Sequence, residues 1–146
     1  MKKILSIALL SLALILPTTA LAGKGNETFD SFNKAKRTLQ HQVYHDHRTT
    51  FYCGCPFDES KKLIASPNYT PKRINSRSKR IEWEHVVPAY DFGRSFPEWR
   101  NGHPECVDSK GKPFKGRNCA RKIAIPFRYM EADLYNLVPA VGEING

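Results

Sequence analysis

Acidic side chains are in short supply in this 146-residue chain, with fourteen Asp and Glu against twenty-three Lys and Arg and a formal charge of +9. Long hydrophobic runs are nearly missing as well. The one present, Ile4–Leu16, is broken by Pro17 and is too short to span a bilayer comfortably, which argues against a polytopic membrane protein. Cysteines number only four, and internal repeats and low-complexity tracts are lacking. The length excludes two full domains. Beyond residue 22 the apolar share falls to roughly 35%, thin for a core, but all sixteen aromatics lie there and each brings a large apolar area. Aromatics interspersed with charges of both signs exclude a wholly disordered tail.

The apolar run belongs to a leader pattern. Lys2 and Lys3 precede it, and Ala20-Leu21-Ala22 follows as a small-x-small cleavage site. Residues 1–22 therefore read as a secretory signal peptide, cut before Gly23, leaving one domain over 23–146 with a charge of +7. The compartment is then periplasmic or extracellular, where disulfides persist. Cys106 and Cys119 bracket a Gly/Lys/Pro-rich loop that a bond between them would close into a short ring. Cys53 and Cys55, one residue apart in an extended segment, are poorly placed to bond each other and read as awaiting other partners. His41, His45 and His47 lie near them, but the spacing matches no usual structural zinc pattern.

Phe29, Phe32, Ala35, Leu39 and Val43 recur at three- and four-residue steps and predict an amphipathic helix from Asn26 to about His45. Thr49–Cys53 has strand composition, and residues 54–79 read as loop. Arg80–Val87 is the strongest strand, ending before Pro88. Residues 93–122 form a long Gly/Pro-punctuated stretch, Pro126 opens a helix, and Asn136–Val141 gives a second strand with Pro139 suggesting an edge.

Glu84 and His85 place a carboxylate beside an imidazole. The imidazole can take a proton from water near neutral pH, and a carboxylate can hold a hard cation. Neighbours on a regular strand face opposite ways, so both serve one site only if the strand ends there, as Pro88 allows. Ile81–Tyr90 (IEWEHVVPAY) resembles the signature of the bacterial endonuclease I family, exported non-specific nucleases of the ββα-metal (His-Me finger) superfamily. The resemblance continues through Phe51–Cys55 and Gly116–Cys119, and through the long block Met130–Gly146.

The resemblance implies an α+β, ββα-metal fold with an N-terminal amphipathic helix and long loops. It implies His85 as general base, Glu84 and Asn145 as ligands of one divalent ion (Mg²⁺, or another such as Mn²⁺ or Ca²⁺), and Asn136 as a brace of the hairpin. Arg117 sits near the position of a phosphate-holding Arg, with Arg121 or Arg94 as alternatives. Glu82 reads as solvent-facing or as outer support. Hydrolysis would leave 5′-phosphate and 3′-hydroxyl ends. Two basic stretches, Lys61–Arg80 and Lys110–Lys122, fit DNA and RNA held through the phosphate backbone without sequence preference. No membrane association after cleavage is expected, and a monomer is. Family members continue past the equivalent of Asn145-Gly146 into a helix, so the chain reads as a truncated, incomplete copy. The alternative function is that of a catalytically inactive remnant, at most a basic nucleic-acid-binding protein.

Overall fold

Two short antiparallel strands with helices packed around them make up this α+β protein, a computed structural model describing residues 25–145. The expected signal segment lies outside the described residues. In order, the elements are α1 (Phe32–Thr38), β1 (Ile81–His85), α2 (Ala89–Gly93), α3 (Pro97–Asn101), α4 (Arg117–Ile123), α5 (Ile125–Glu131) and β2 (Leu137–Val141). A π-helical turn, Leu39–Val43, prolongs α1, and a 3₁₀ turn, Leu134–Asn136, leads into β2.

The hairpin is the frame on which everything else rests. Ile81 pairs with Val141, Trp83 with Pro139 and His85 with Leu137. On β1, buried Ile81, Trp83 and His85 alternate with half-buried Glu82 and Glu84, the two-residue period of a strand with one face in the core. Pro139 is tolerated because, among the described residues, β2 has no third strand beside it; its carbonyl instead accepts from the Phe51 amide at 2.8 Å. Under the hairpin lies a core of Ala35, Leu39, Phe57, Ile81, Trp83, Ala132 and Leu137, with Phe32 packed against it. A second cluster joins Ala120, Ala124 and Phe127 to Phe92, Phe96 and Trp99. Aromatic side chains supply much of the bulk in both, which offsets the low apolar fraction.

Several sequence expectations are corrected. Thr49–Cys53 is not a strand: only Thr49 pairs, with Pro56, and the chain turns back on itself. The Gly54 amide donates to the Thr50 carbonyl and the Thr50 amide to the Cys55 carbonyl, both at 3.0 Å, with Gly54 at φ +59°. That turn brings the Cα atoms of Cys53 and Cys55 to 5.3 Å and joins the two in a disulfide, contrary to the expectation for an extended chain. Cys106–Cys119 is bonded as expected, with Cα atoms 5.5 Å apart. The predicted helix is shorter, Phe32–Val43, and the supposed loop of 93–122 carries α3 and α4. Among the described residues no helix is long and apolar enough to cross a membrane.

Candidate active site

β1 ends at His85. Glu84 and His85 line the same cleft, of about 700 Å³, together with Glu82, Arg117 and Asn145. Phe32 and Lys36 from α1, Lys61 and Arg80 complete the walls that matter here.

His85 is 7% exposed and sits at the seam of the two apolar clusters, its ring 5.1 Å from that of Phe32 and 6.0 Å from that of Phe92. Its Nε2 lies 2.9 Å from the backbone carbonyl of Glu131. A carbonyl only accepts, so Nε2 carries the proton and Nδ1 is left with its lone pair. That carbonyl closes α5, where helix geometry leaves carbonyls without an internal partner. Burial pushes the imidazole below its usual pKa, and the charges of Arg117 and Arg121 push the same way against the opposing pull of Glu131. The ring is thus held neutral, in one tautomer, near neutral pH.

Glu131 does a second job. Its carboxylate is fully buried and accepts from Arg117 Nε at 2.5 Å and from Arg121 Nε at 2.7 Å. Burial alone would raise its pKa, but the hydrogen bonds and charges of Arg121 and Arg117 bring it below the ordinary value. Arg117 spends Nε on Glu131 and keeps a buried Nη2 with no hydrogen-bond partner. Of the three arginines weighed for a phosphate contact, Arg117 lines the cleft with His85; Arg121 lines the adjoining hollow, and Arg94 stands over Tyr90.

Glu84 has a buried Oε2 without a partner, and burial together with the Glu82 charge raises its pKa. A carboxylate so placed suits a cation. Asn145 follows one helical turn that begins at the end of β2, its amide donating to the Val141 carbonyl at 3.0 Å. Its Nδ2 reaches Glu82 Oε2 at 3.3 Å, which leaves Oδ1 as an available hard donor in the same cleft. Glu82 is itself fixed by a two-point pairing with Arg77, at 3.1 and 3.0 Å, and by Arg80 at 3.3 Å. One carboxylate and one amide oxygen form a donor set that fits Mg²⁺, which keeps much of its own water. Among the described residues no group of three or more His, Cys, Asp and Glu gathers, so His41, His45 and His47 build no zinc site. Asn136 lies outside the cleft and clamps the chain leaving β1, accepting from the Val87 amide at 2.7 Å and donating to the Val87 carbonyl at 3.1 Å.

Sequence reasoning assigned no site role to Glu131, and to Phe32 only a place on the apolar stripe of the first helix. A buried carboxylate can be suspected from a lone Glu within an apolar helix, but the carbonyl that orients His85 is a backbone atom with no side-chain signature.

The family model described as Endonuclease I matches residues 29–146. A periplasmic deoxyribonuclease of Aeromonas hydrophila is 38% identical over 149 residues, covering 99% of this chain and 55% of the relative. An extracellular deoxyribonuclease of the same organism is 40% identical over 142 residues, covering 94% and 54%. Endonuclease-1 of Buchnera aphidicola subsp. Acyrthosiphon pisum is 33% identical over 125 residues, covering 82% and 44%. The chain spans about half the length of the curated relatives it matches.

Proposed function

The chain belongs to the endonuclease I family, and from that premise we propose that it is a metal-dependent, non-specific endonuclease working in the periplasm or outside the cell. The relatives named periplasmic and extracellular deoxyribonuclease support both the activity and the location. The observation that carries the mechanism is the His85 Nε2–H bond to the Glu131 carbonyl, which leaves an unprotonated Nδ1 in the cleft that holds Glu84, Asn145 and Arg117.

His85 takes a proton at Nδ1 from the attacking water, a role worth roughly 10²–10⁴-fold in rate. Arg117, which lines the cleft with His85, holds the scissile phosphate through its guanidinium, which Glu131 keeps in place. Glu84 and Asn145 would hold a divalent ion, Mg²⁺ or another such as Mn²⁺ or Ca²⁺, which when bound supplies charge stabilisation to the phosphoryl oxygens and to the departing 3′ oxygen. Glu82 sets the direction of Asn145, and Asn136 secures the end of β1. Together with the turn that carries Asn145, the hairpin supports reading the site as a ββα-metal motif. Contacts to phosphate rather than to bases favour cleavage of DNA and RNA alike, by a monomer, with 5′-phosphate and 3′-hydroxyl products.

Nicking of supercoiled plasmid by the oxidised protein in Mg²⁺ tests this. His85→Ala is expected to lose at least about 10²-fold in rate while still binding DNA, and chelator is expected to stop the wild-type reaction. Full activity in His85→Ala would refute the assignment. Binding without cleavage by the wild type would leave a basic nucleic-acid-binding protein instead.

A further inference from the structure

Four cations line the cleft: Lys36, Lys61, Arg80 and Arg117. Two are committed, Arg80 to Glu82 and Arg117 to Glu131. Among the described residues, Lys36 and Lys61 have no salt bridge to an acidic side chain. Lys36 stands over the Phe32 ring, its Nζ 4.7 Å from the centroid, and that ring stacks on His85. The ammonium is therefore within about 10 Å of the imidazole, these two distances laid end to end being the upper bound. Lys61 is the one non-glycine residue among those described with a left-handed backbone, φ +68°. Its amide donates to the Asp58 carbonyl and its carbonyl accepts from the Ile81 amide, both at 2.9 Å, which pins it against the start of β1. Strained backbone of this kind persists only where its surroundings over-determine it, and it clusters at functional sites.

We propose that Lys36 and Lys61 form a second phosphate-holding site, taking a backbone phosphate of the bound strand next to the one being cut. The proposal rests on the nuclease reading of the cleft. Two like charges converging without an anion are unfavourable in the free protein, and a phosphodiester between them removes that cost. The crowding is felt by Lys36, whose basicity is lowered by burial and then by the charges of Lys61, Arg121 and Arg117. The Glu131 charge that acts in the opposite sense is already shared between Arg117 and Arg121. Phe32 is the shared floor: it supports the Lys36 ammonium on the one hand and the imidazole on the other, so a strand held by the lysine is set in register with the base. The pair therefore acts on substrate placement and leaves proton transfer alone.

The test uses Lys36→Met, Lys61→Asn and the double variant, with Lys34→Met as control because Lys34 is an exposed residue already paired with Asp30. Asparagine is chosen because it tolerates the left-handed region. Anisotropy of a labelled single-stranded oligodeoxynucleotide, titrated in chelator over a salt series, reads binding apart from cleavage. The double variant is expected to bind about tenfold more weakly at low salt, and its log–log salt slope to be shallower by about 0.7, the value of one phosphate contact on a single strand. Lys34→Met is expected to keep the wild-type slope. With Mg²⁺, KM rises while kcat at saturation stays within about twofold, as for lost uniform binding. A double variant with wild-type slope and KM, or one that loses kcat at constant KM, would overturn the proposal. If wild-type protein binds but fails to cleave, the nuclease reading falls, while a persisting slope difference upholds the lysine pair. Should circular dichroism show Lys36→Met unfolded, Lys36→Gln replaces it under the same criteria.

Discussion

Glu131 concentrates several demands in one residue: its carbonyl orients His85 and its carboxylate joins two arginines. Replacing it by Gln leaves two guanidinium groups facing a neutral amide. Breaking a fully buried pair costs about 3–5 kcal/mol, but Arg117 and Arg121 are 37% and 40% exposed. We therefore expect Glu131→Gln to lose on the order of 2 kcal/mol in denaturant titrations at pH 7. The pH dependence has a definite sign. The folded-state pKa of Glu131 lies below its unfolded value of about 4.3. Its contribution is then complete above that unfolded value and is lost as the pH falls toward the folded one. Unfolding curves from pH 7 to pH 3 should show wild type losing more stability than Glu131→Gln, with the gap between them narrowing in acid. A constant gap across that range would contradict the assignment.

At the level of elements, the packing of α2 against α3 is decided by a missing side chain. A Cβ on Gly93 would stand 2.5 Å from a ring carbon of Trp99, so the ring lies where a methyl group would be. Gly93→Ala should destabilise by about 1–3 kcal/mol, as overpacking does, and near-ultraviolet circular dichroism should report the displaced indole. An unchanged melting temperature would show that the ring can yield without cost. These short helices also mark the limit of what could be read from the chain. β1, β2 and the start of α5 were legible because Arg80–Val87 alternates apolar with polar residues up to Pro88, because Asn136–Val141 is mostly apolar and ends at Gly142, and because Pro126 suits a first helical turn. α3 is only five residues long and α4 only seven, within a stretch rich in Gly and Pro, so neither displays a full apolar period. Thr49–Cys53 misled because its β-branched and aromatic composition was overridden by the turn at Gly54. Of the candidate site, the cleft gathers Glu84, His85, Arg117 and Asn145, which the resemblance names, whereas Phe32 and Lys36 come from a segment distant in sequence and meet the rest only through the fold.

For the whole molecule the dominant quantity is the net positive charge, +9 for the full sequence. Binding that draws on six or more phosphate contacts should weaken by about 10³-fold between 50 and 200 mM salt, equally for oligonucleotides of different sequence. A fall of less than tenfold, or a strong preference among sequences, would point to base contacts instead. The hairpin at the centre has a further bearing on the life of the chain. Its strands face each other residue for residue, yet residues 86–136 intervene, carrying the carbonyl that gives His85 its tautomer. Closing so wide a loop precedes any reward from the contacts it creates. An unfolded chain therefore has the residues of the cleft scattered along its contour and none of the assembly. The candidate cleft is thus a late product of folding, absent until the two distant segments close on one another.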